Sequence, residues 1–486
     1  MKSYDLEKHK KYKSLYKANE LYWGLGIENE IYLELDKGVY VTPTVFMHNR
    51  KRERYSVDYS QNYKKDVIEP YLEKLIEKET LIKIPLLMNT HSFIHTDSNN
   101  EPKRRYTKLN EMNPKFKGET LIEEILKSKY ADTYEKEWLF DGDTIEFTTI
   151  EFYNTTINKV IEELNREKLN FIKELQDYQI KNELFIEYGK IRYMNHNYPF
   201  AMYLTNYNNI SMFNNGTFHY NITLPTKLNE NKEIDNIKQF KEDHKKAIRI
   251  IQWFEPLMMC IYNTPDPFSD SVQFSKCSQR CAVSRYIGIG TYDTDIMLEG
   301  KHLTVKIDEY KSYFWYKRYH KESNYKMLDE IGYDINYHKH YNHGIEIRFF
   351  DYISDQRMLK ESMEMIIYLM DYVLEVNEID NPIKNPIWNE IVVNVMQSGK
   401  DYIMTKEEKL QYELIFKCKL KKNKIKEVYY EIYYNLIKKY NTIKIIKKKN
   451  VNINLYKKIP IGKYSSLTIE ESIIDEWYKQ LIMNNF

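Results

Sequence analysis

The sequence predicts an α+β fold in which a curved antiparallel β-sheet is flanked by helices and followed by a helical, lysine-rich C-terminal region. Short strand-like segments alternate with long amphipathic helices, and several of those segments carry polar side chains at every second position. Because side chains alternate between the two faces of a strand, each such strand has one polar and one apolar face. A polar strand face inside a large fold indicates a site on that face.

The composition is that of a large folded protein. The chain has 486 residues, of which 42% are hydrophobic, and its formal net charge is only +2. Such a chain can bury an extensive core, and it has no overall field that favours nucleic acid or an anionic membrane. Its four cysteines, the absence of an apolar leader and the absence of a long apolar run predict a cytoplasmic protein without a membrane partner.

The first predicted strand is rich in glutamate. It runs from Leu25 to Glu34 and places Glu28, Glu30 and Glu34 on one face. Like charges so close together repel, so a bound cation would stabilise this face. The alternative is a solvent-exposed edge strand whose glutamates pair with lysines. The segment from Val39 to Phe46 is the expected hairpin partner.

Two later strands also carry chemistry-bearing side chains. A turn at Asp141–Thr144 opens a strand that contains Glu146, and a long helix is predicted over residues 154–178. The strand from Gly216 to Pro225 has a polar face made of Thr217, His219, Asn221 and Thr223. His219 is a candidate metal ligand or hydrogen-bond partner of a phosphate, since neutral imidazole does both.

Arginines and a fourth carboxylate follow in the next part of the chain. A helix predicted over residues 234–262 ends at a Pro-Asp-Pro turn, and the loop after it carries Arg280 and Arg285. A strand ending at Phe350 then places Glu346 and Arg348 on one face, before a helix predicted over residues 356–376. The planar guanidinium group binds phosphate or carboxylate through two hydrogen bonds and keeps its charge.

The carboxylates of separate strands predict a cation site. Glu28 with Glu30, Glu146 and Glu346 can converge inside a curved sheet, and oxygen-rich sites suit Mg²⁺ or Mn²⁺. Mg²⁺ completes its coordination with water and substrate phosphates, so ATP is the natural ligand.

Three other segments have weaker signals. The polar, turn-rich stretch from Thr90 to Lys117 is expected to be a mobile surface loop that closes over the site. The histidines of His338-x-His340-x-x-His343 lack the spacing of a zinc site, so we interpret them as solvated loop residues. Cys277 and Cys281 have no second cysteine pair, which favours structural thiols.

Five motifs, in order, resemble those of the glutamine synthetase and glutamate–cysteine ligase superfamily, in particular its carboxylate–amine ligase (amidoligase) branch. They are Gly26-Ile27-Glu28-Asn29-Glu30, Ile145-Glu146-Phe147-Thr148-Thr149, Phe218-His219-Tyr220-Asn221-Ile222-Thr223-Leu224, Ser278-Gln279-Arg280-Cys281-Ala282-Val283-Ser284-Arg285 and Gly344-Ile345-Glu346-Ile347-Arg348-Phe349-Phe350-Asp351. The resemblance covers about residues 20–375. Gln279 and Cys281 depart from the family's loop, and the family's glutamate-binding segment has no counterpart.

The resemblance implies a funnel-like sheet and an ATP-dependent ligase that forms an amide or peptide-type bond through an acyl phosphate, releasing ADP and phosphate. Its substrates would be a small-molecule carboxylate and an amine, such as an amino acid or peptide. The metal ligands implied are Glu28, Glu30, Glu146 and Glu346. Arg348, Arg280 and Arg285 are the implied catalytic residues, and His219, Arg348 and Arg280 the implied ATP-binding residues.

Two alternatives stay open. One is a binding or structural protein that keeps this fold without its chemistry and uses a basic C-terminal region on nucleic acid or an anionic surface. The other is a guanidino phosphotransferase, whose sheet and phosphate site are similar. The predicted division of the chain is a catalytic domain over residues 1–380 and a helical, Lys-rich region over residues 381–486, and nucleic acid is disfavoured as a partner because Lys-rich helices are usually solvated faces.

Overall fold

The computed structural model of the protein describes the following parts of the chain: residues 21–31, 33–41, 77, 82–87, 138–141, 144–149, 157–181, 189–193, 217–231, 233–263, 277–278, 292–299, 334–337, 344–351, 353 and 355–440. They form a mixed α+β structure with antiparallel sheets, as the sequence predicts.

The main sheet has six strands. In chain order the strands of the whole structure are β1 (Leu21–Ile31), β2 (Leu33–Val41), β3 (Ile82–Leu87), β4 (Trp138–Asp141), β5 (Thr144–Thr148), β6 (Ile191–Tyr193), β7 (Phe218–Lys227), β8 (Tyr292–Asp293), β9 (Leu298–Glu299), β10 (Ile335–Tyr337) and β11 (Ile345–Phe350). The order in the main sheet is β10-β11-β7-β1-β5-β4, and each neighbouring pair is antiparallel. Strands far apart in sequence therefore lie side by side in its centre.

The expected hairpin partner of the first strand is wrong. The strand after β1 begins at Leu33 and pairs with β3 and β6 in a separate three-stranded sheet. In the described part of the chain, β1 pairs with β5 over residues 28–31 and with β7 over residues 21–29, whereas residues 39–41 of β2 pair with β3. Glu34 lies on β2 opposite Leu87 and Arg192, and it does not share the sheet of Glu28 and Glu30.

Three long helices begin and end within about three residues of their predicted bounds. They are α1 (Ile157–Lys181), α2 (Ile237–Tyr262) and α3 (Gln356–Glu375). The side chain of Asn236 caps α2 by accepting a hydrogen bond from the Gln239 amide, and Asp355 caps α3 in the same way. Pro256 is accommodated inside α2, which continues to Tyr262, three residues before the Pro-Asp-Pro sequence.

The apolar face of the main sheet is covered by these helices. Ile27, Phe147, Tyr220 and Ile347 are fully buried. Helix α1 packs against β1 and β5, whereas α2 packs against β7 and β11. The opposite face of the same strands carries the glutamates, so the helices bury one face and leave the polar face to the site.

Three further helices, α4 (Pro386–Ser398), α5 (Lys406–Phe416) and α6 (Ile425–Tyr440), follow two short 3₁₀ turns at Pro382–Lys384 and Gly399–Asp401. They belong to the same hydrophobic core as the sheet. The indole of Trp388 donates to the Gln252 carbonyl at 3.0 Å, and the Tyr412 hydroxyl donates to the Trp253 carbonyl at 2.8 Å. Among the described helices, none has an apolar stretch long enough to cross a bilayer.

Candidate metal centre

Strand register brings the predicted glutamates together. Glu28 of β1 lies opposite His219 of β7, and Glu30 lies opposite Glu146 of β5. On the next strand, Glu346 of β11 is paired with Asn221 of β7. Because facing residues of an antiparallel pair point to the same side, all of these side chains project from one face of the sheet.

His219 lies at the centre of the cluster. Its Nδ1 atom is 3.3 Å from a carboxylate oxygen of Glu28 and 3.3 Å from one of Glu346, while its Nε2 atom is 3.8 Å from Glu30. All four residues are buried. One ligand atom each from Glu28, His219 and Glu346 can be chosen so that all three lie within 4.8 Å of one another. That spacing is compact enough for one ion to reach all three.

Hydroxyl and amide groups hold the cluster in place. The Thr217 hydroxyl donates to Glu30 at 3.1 Å and lies 2.9 Å from His219 Nε2. The Asn221 amide donates to Glu28 at 3.1 Å. Such outer hydrogen bonds orient the ligands of a metal site and set the protonation of a ligating histidine.

The surroundings of His219 favour its charged form. Since the Thr217 hydroxyl gives its proton to Glu30, it accepts one from Nε2, and Nδ1 faces two carboxylates. Burial is the largest single influence and favours the neutral ring, and Arg348 acts in the same direction. Together the carboxylates of Glu30, Glu28 and Glu346 outweigh both and raise the pKa of His219. A metal ion would have to displace a ring proton before His219 could act as a ligand.

Glu146 and Arg348 lie at the margins of the cluster. Glu146 is half-buried, and one of its oxygens accepts a hydrogen bond from the Thr148 hydroxyl at 3.3 Å. Arg348 Nη1 is 3.9 Å from Glu346 Oε2, and the Arg348 backbone amide donates to the Asp334 carbonyl at 2.8 Å. The guanidinium is therefore placed to counter the charge of the carboxylates on β11.

Several predicted site residues lie outside the described part of the chain. They are Arg280, Arg285, the histidines at 338, 340 and 343, Cys281 and the segment from Thr90 to Lys117. Ser278, two residues before Arg280, donates from its hydroxyl to Asp351 Oδ1 at 3.2 Å. This contact places Ser278 beside Asp351, the residue that directly follows β11.

Some residues of the cluster have contacts that the sequence alone does not predict. The sequence indicates Thr217 and Asn221 only as parts of a polar strand face, and Thr148 only as part of a strand motif. The same period of two that selects Glu146 also selects Thr148, so a weak signal for it exists. Asn29 and its partner Lys168 have no such signal, because their contact joins residues 139 positions apart.

The donor set is one that could hold a divalent cation. Carboxylate oxygens such as those of Glu28 and Glu346 are typical ligands of Mg²⁺ or Mn²⁺, whereas an imidazole nitrogen such as that of His219 is typical of Zn²⁺ or Fe²⁺ sites, so these three residues do not select one ion. Three buried carboxylates around one imidazole carry an excess of negative charge, which a cation would neutralise.

No known protein-family profile matches the chain. The chain is 40% identical over 406 residues to "Uncharacterized protein R704" of Acanthamoeba polyphaga mimivirus, an alignment that spans 82% of this chain and 71% of the viral protein. The name of that relative states no activity. The chain therefore belongs to the same protein family as this uncharacterized mimivirus protein.

Proposed function

We propose that this protein is an ATP-dependent carboxylate–amine ligase of the glutamine synthetase and glutamate–cysteine ligase superfamily. The observation that supports it most is the convergence of Glu28, His219 and Glu346, from three different strands, within a single buried cluster. These residues come from three of the five motifs that resemble the superfamily. An oxygen-rich cluster beside an arginine suits a metal-bound triphosphate.

In this proposal, each residue of the cluster has a role that follows from its position. Glu28, Glu30, Glu146 and Glu346, with His219, would hold Mg²⁺ or Mn²⁺. When bound, the ion supplies charge neutralisation and orientation of the ATP phosphates. Arg348 lies beside Glu346 and would stabilise the transferring phosphoryl group, with Arg280 and Arg285 as further phosphate ligands.

The proposed reaction has two steps. A carboxylate oxygen of the acid substrate attacks the γ-phosphorus of ATP, the bond to the bridging oxygen breaks, and ADP leaves with that electron pair. The amine substrate then attacks the acyl carbon, phosphate leaves, and the amine nitrogen loses a proton to give the amide. The protein contributes mainly positioning and electrostatic stabilisation, because the chemistry resides in ATP and the two substrates.

The wider proposal follows from the same resemblance. We infer a funnel-like sheet with ATP at one end and acid and amine at the other, a closing loop at residues 90–117 and a cytoplasmic location with small-molecule partners. Exclusion of water by such a loop would protect an acyl phosphate from hydrolysis.

Product analysis tests the activity. The full chain is incubated with Mg-ATP and pooled amino acids, amines and peptides, and release of ADP, phosphate and AMP is measured. We expect ADP and phosphate, formed only when an acid and an amine are both present. AMP and pyrophosphate would indicate adenylation instead, and ADP with a phosphorylated guanidino product would indicate a phosphotransferase.

Matched variants connect the activity to the cluster. Glu28→Gln and Glu346→Gln are expected to abolish product release, whereas Glu242→Gln, at an exposed position on α2, should leave it unchanged. Absence of turnover with every pool, together with unaltered ATP binding in both cluster variants, would exclude the ligase.

A further inference from the structure

A buried polar contact lies directly behind the carboxylates of the metal centre. Asn29 stands between Glu28 and Glu30 on β1, so its side chain projects from the opposite face of the sheet. Its Oδ1 atom accepts a hydrogen bond of 2.8 Å from the amine of Lys168, a residue of α1. The helix is thereby tied to the strand that supplies two candidate ligands.

Asn29 in turn fixes the approach of β1 to the start of β7. Its Nδ2 group donates to the Thr217 carbonyl at 3.2 Å and to the Glu30 carbonyl at 3.3 Å. The same Thr217 carbonyl accepts the Glu30 backbone amide at 3.0 Å. The Thr217 hydroxyl then contacts both Glu30 and His219 on the site face. A continuous path of hydrogen bonds therefore runs from Lys168 to the cluster.

A lysine is uncommon at a position that has a purely structural role inside a fold. Within the described part of the chain the Lys168 amine contacts the amide oxygen of Asn29 and the ring of Tyr193, whose centroid is 5.2 Å away, and it pairs with no carboxylate. Burial lowers the pKa of Lys168 to about 8, so its charged form is less favoured there than in water. A methionine would avoid that penalty but would leave the Asn29 amide oxygen without this donor.

The helix backbone at this point is also fixed. The Tyr193 hydroxyl donates to the Lys168 carbonyl at 2.6 Å, and the Tyr193 ring packs edge-on against Phe147 of β5 with centroids 5.9 Å apart. Lys168 is thus held from both ends, at its backbone by β6 and at its amine by β1. Such anchoring gives the amine one defined position behind the sheet.

We propose that Lys168 is a positioning residue, which sets the placement of Glu30 and His219 in the metal centre through Asn29 and Thr217. The inference rests on the proposed function for the identity of the ion, but not for the path of contacts. Groups that orient metal ligands from behind change metal affinity by about 10-fold to 100-fold when removed, although they touch no metal.

Manganese binding to the full chain tests this role. Lys168→Met removes the donor while keeping an unbranched side chain that is one atom shorter, and we expect the Mn²⁺ dissociation constant, measured by electron paramagnetic resonance, to rise about 10-fold. Lys173→Met is the control, because Lys173 is exposed on the same helix. Lys168→Arg keeps a donor for Asn29 and should restore most of the affinity.

A second readout does not depend on metal. The imidazole signals of His219, observed by NMR in metal-free protein with labelled histidine and assigned with His219→Gln, are expected to shift in Lys168→Met and not in Lys173→Met. Thermal unfolding should show a lowered melting temperature in Lys168→Met, since the buried Asn29 Oδ1 loses its donor, and recovery in Lys168→Arg. A folded Lys168→Met variant with altered His219 signals separates positioning from general support of the fold.

The outcomes distinguish the two proposals. Wild-type affinity and unchanged His219 signals in Lys168→Met would overturn the positioning role. If the wild-type chain binds no Mn²⁺, the metal centre of the proposed function fails, and the His219 signals alone decide the role of Lys168. If Lys168→Met does not fold, Asn29→Ala removes the other end of the contact and carries the same expectations and the same refutation.

Discussion

The cluster contains charged side chains at buried positions, where apolar side chains are more usual. Glu346 is almost fully inaccessible, with 1% exposure, yet it lies on the same face as Glu28 and Glu30. His219 and Arg348 lie 3.3 Å and 3.9 Å from its carboxylate oxygens. Buried carboxylates so close together repel one another, and such repulsion is typical of sites that bind an ion.

Replacing one of these carboxylates should therefore separate stability from metal binding. We expect metal-free Glu346→Gln to unfold with a free energy within about 1 kcal/mol of wild type, or higher, because the amide keeps the shape and removes repulsion. Wild-type protein at a Mn²⁺ concentration about 100 times the dissociation constant should gain about 2.7 kcal/mol, and the variant should gain none. Differential scanning calorimetry with and without Mn²⁺ measures both effects.

Glu242→Gln, on the exposed face of α2, provides the control and should behave as wild type in both conditions. A loss of several kcal/mol in metal-free Glu346→Gln would instead assign Glu346 a structural role.

At the scale of elements, the contact of α6 with α2 and α3 contains buried carboxyls surrounded by tyrosines. Glu361 of α3 accepts hydrogen bonds from Tyr262 at 2.8 Å and from Tyr430 at 3.2 Å. Glu364 of the same helix accepts one from Tyr433 at 2.7 Å. These hydroxyls satisfy the carboxyls, but a phenol carries no positive charge to compensate an ionised one.

This environment makes the stability of the helical layer depend on pH. Burial, the main cause, raises the pKa of Glu361 from 4.5 to about 7 in the folded protein, despite the opposing hydrogen bonds from Tyr262 and Tyr430. A folded state that holds the proton more tightly is favoured below the unfolded pKa and loses that advantage as pH rises through the folded pKa. The contribution of Glu361 should therefore be present near pH 4.5 and be lost by about pH 7, a change of about 3 kcal/mol.

Glu361→Gln tests this dependence, because the glutamine side-chain oxygen can still accept hydrogen bonds from the Tyr262 and Tyr430 hydroxyls. The difference in unfolding free energy between variant and wild type, measured by urea denaturation from pH 5 to 8, should grow in favour of the variant. A constant difference across that range would contradict the assignment. Glu378→Gln, an exposed residue after α3, is the matched control and should show no such trend.

The whole molecule has one continuous hydrophobic core in its described parts. Trp388 and Tyr412 bond to the backbone of α2, and Tyr429 of α6 lies within 2.5 Å of the Tyr262 hydroxyl. All of them are fully buried. Removal of α4 to α6 would expose this apolar surface of α2 and α3 to water.

Truncation after residue 380, at the predicted boundary between the two regions, is accordingly expected to give a protein that does not fold independently. The full chain should unfold cooperatively through residue 440, which hydrogen exchange followed by mass spectrometry would show as simultaneous loss of protection in α2 and α6. A folded truncated protein, or two well-separated transitions of α2 and α6, would show instead that the two regions are independent domains.

Local patterns already predict a large part of this architecture. Helix bounds follow from amphipathic spacing, capping residues and prolines, which act over a few positions. Glu28 and Glu30 share one face of β1, and Glu346 and Arg348 share one face of β11, because side chains alternate along a strand. These features depend on neighbours in the chain, so the sequence by itself determines them.

Only the tertiary structure decided which strands lie side by side. Contact between His219 and Glu28 joins residues 191 positions apart, and no local pattern specifies that register. No local pattern specifies that β2 pairs in another sheet, or that Lys168 contacts Asn29, either. Such pairings depend on how all segments share the available edges and core, and that physical competition acts across the whole fold rather than along the chain.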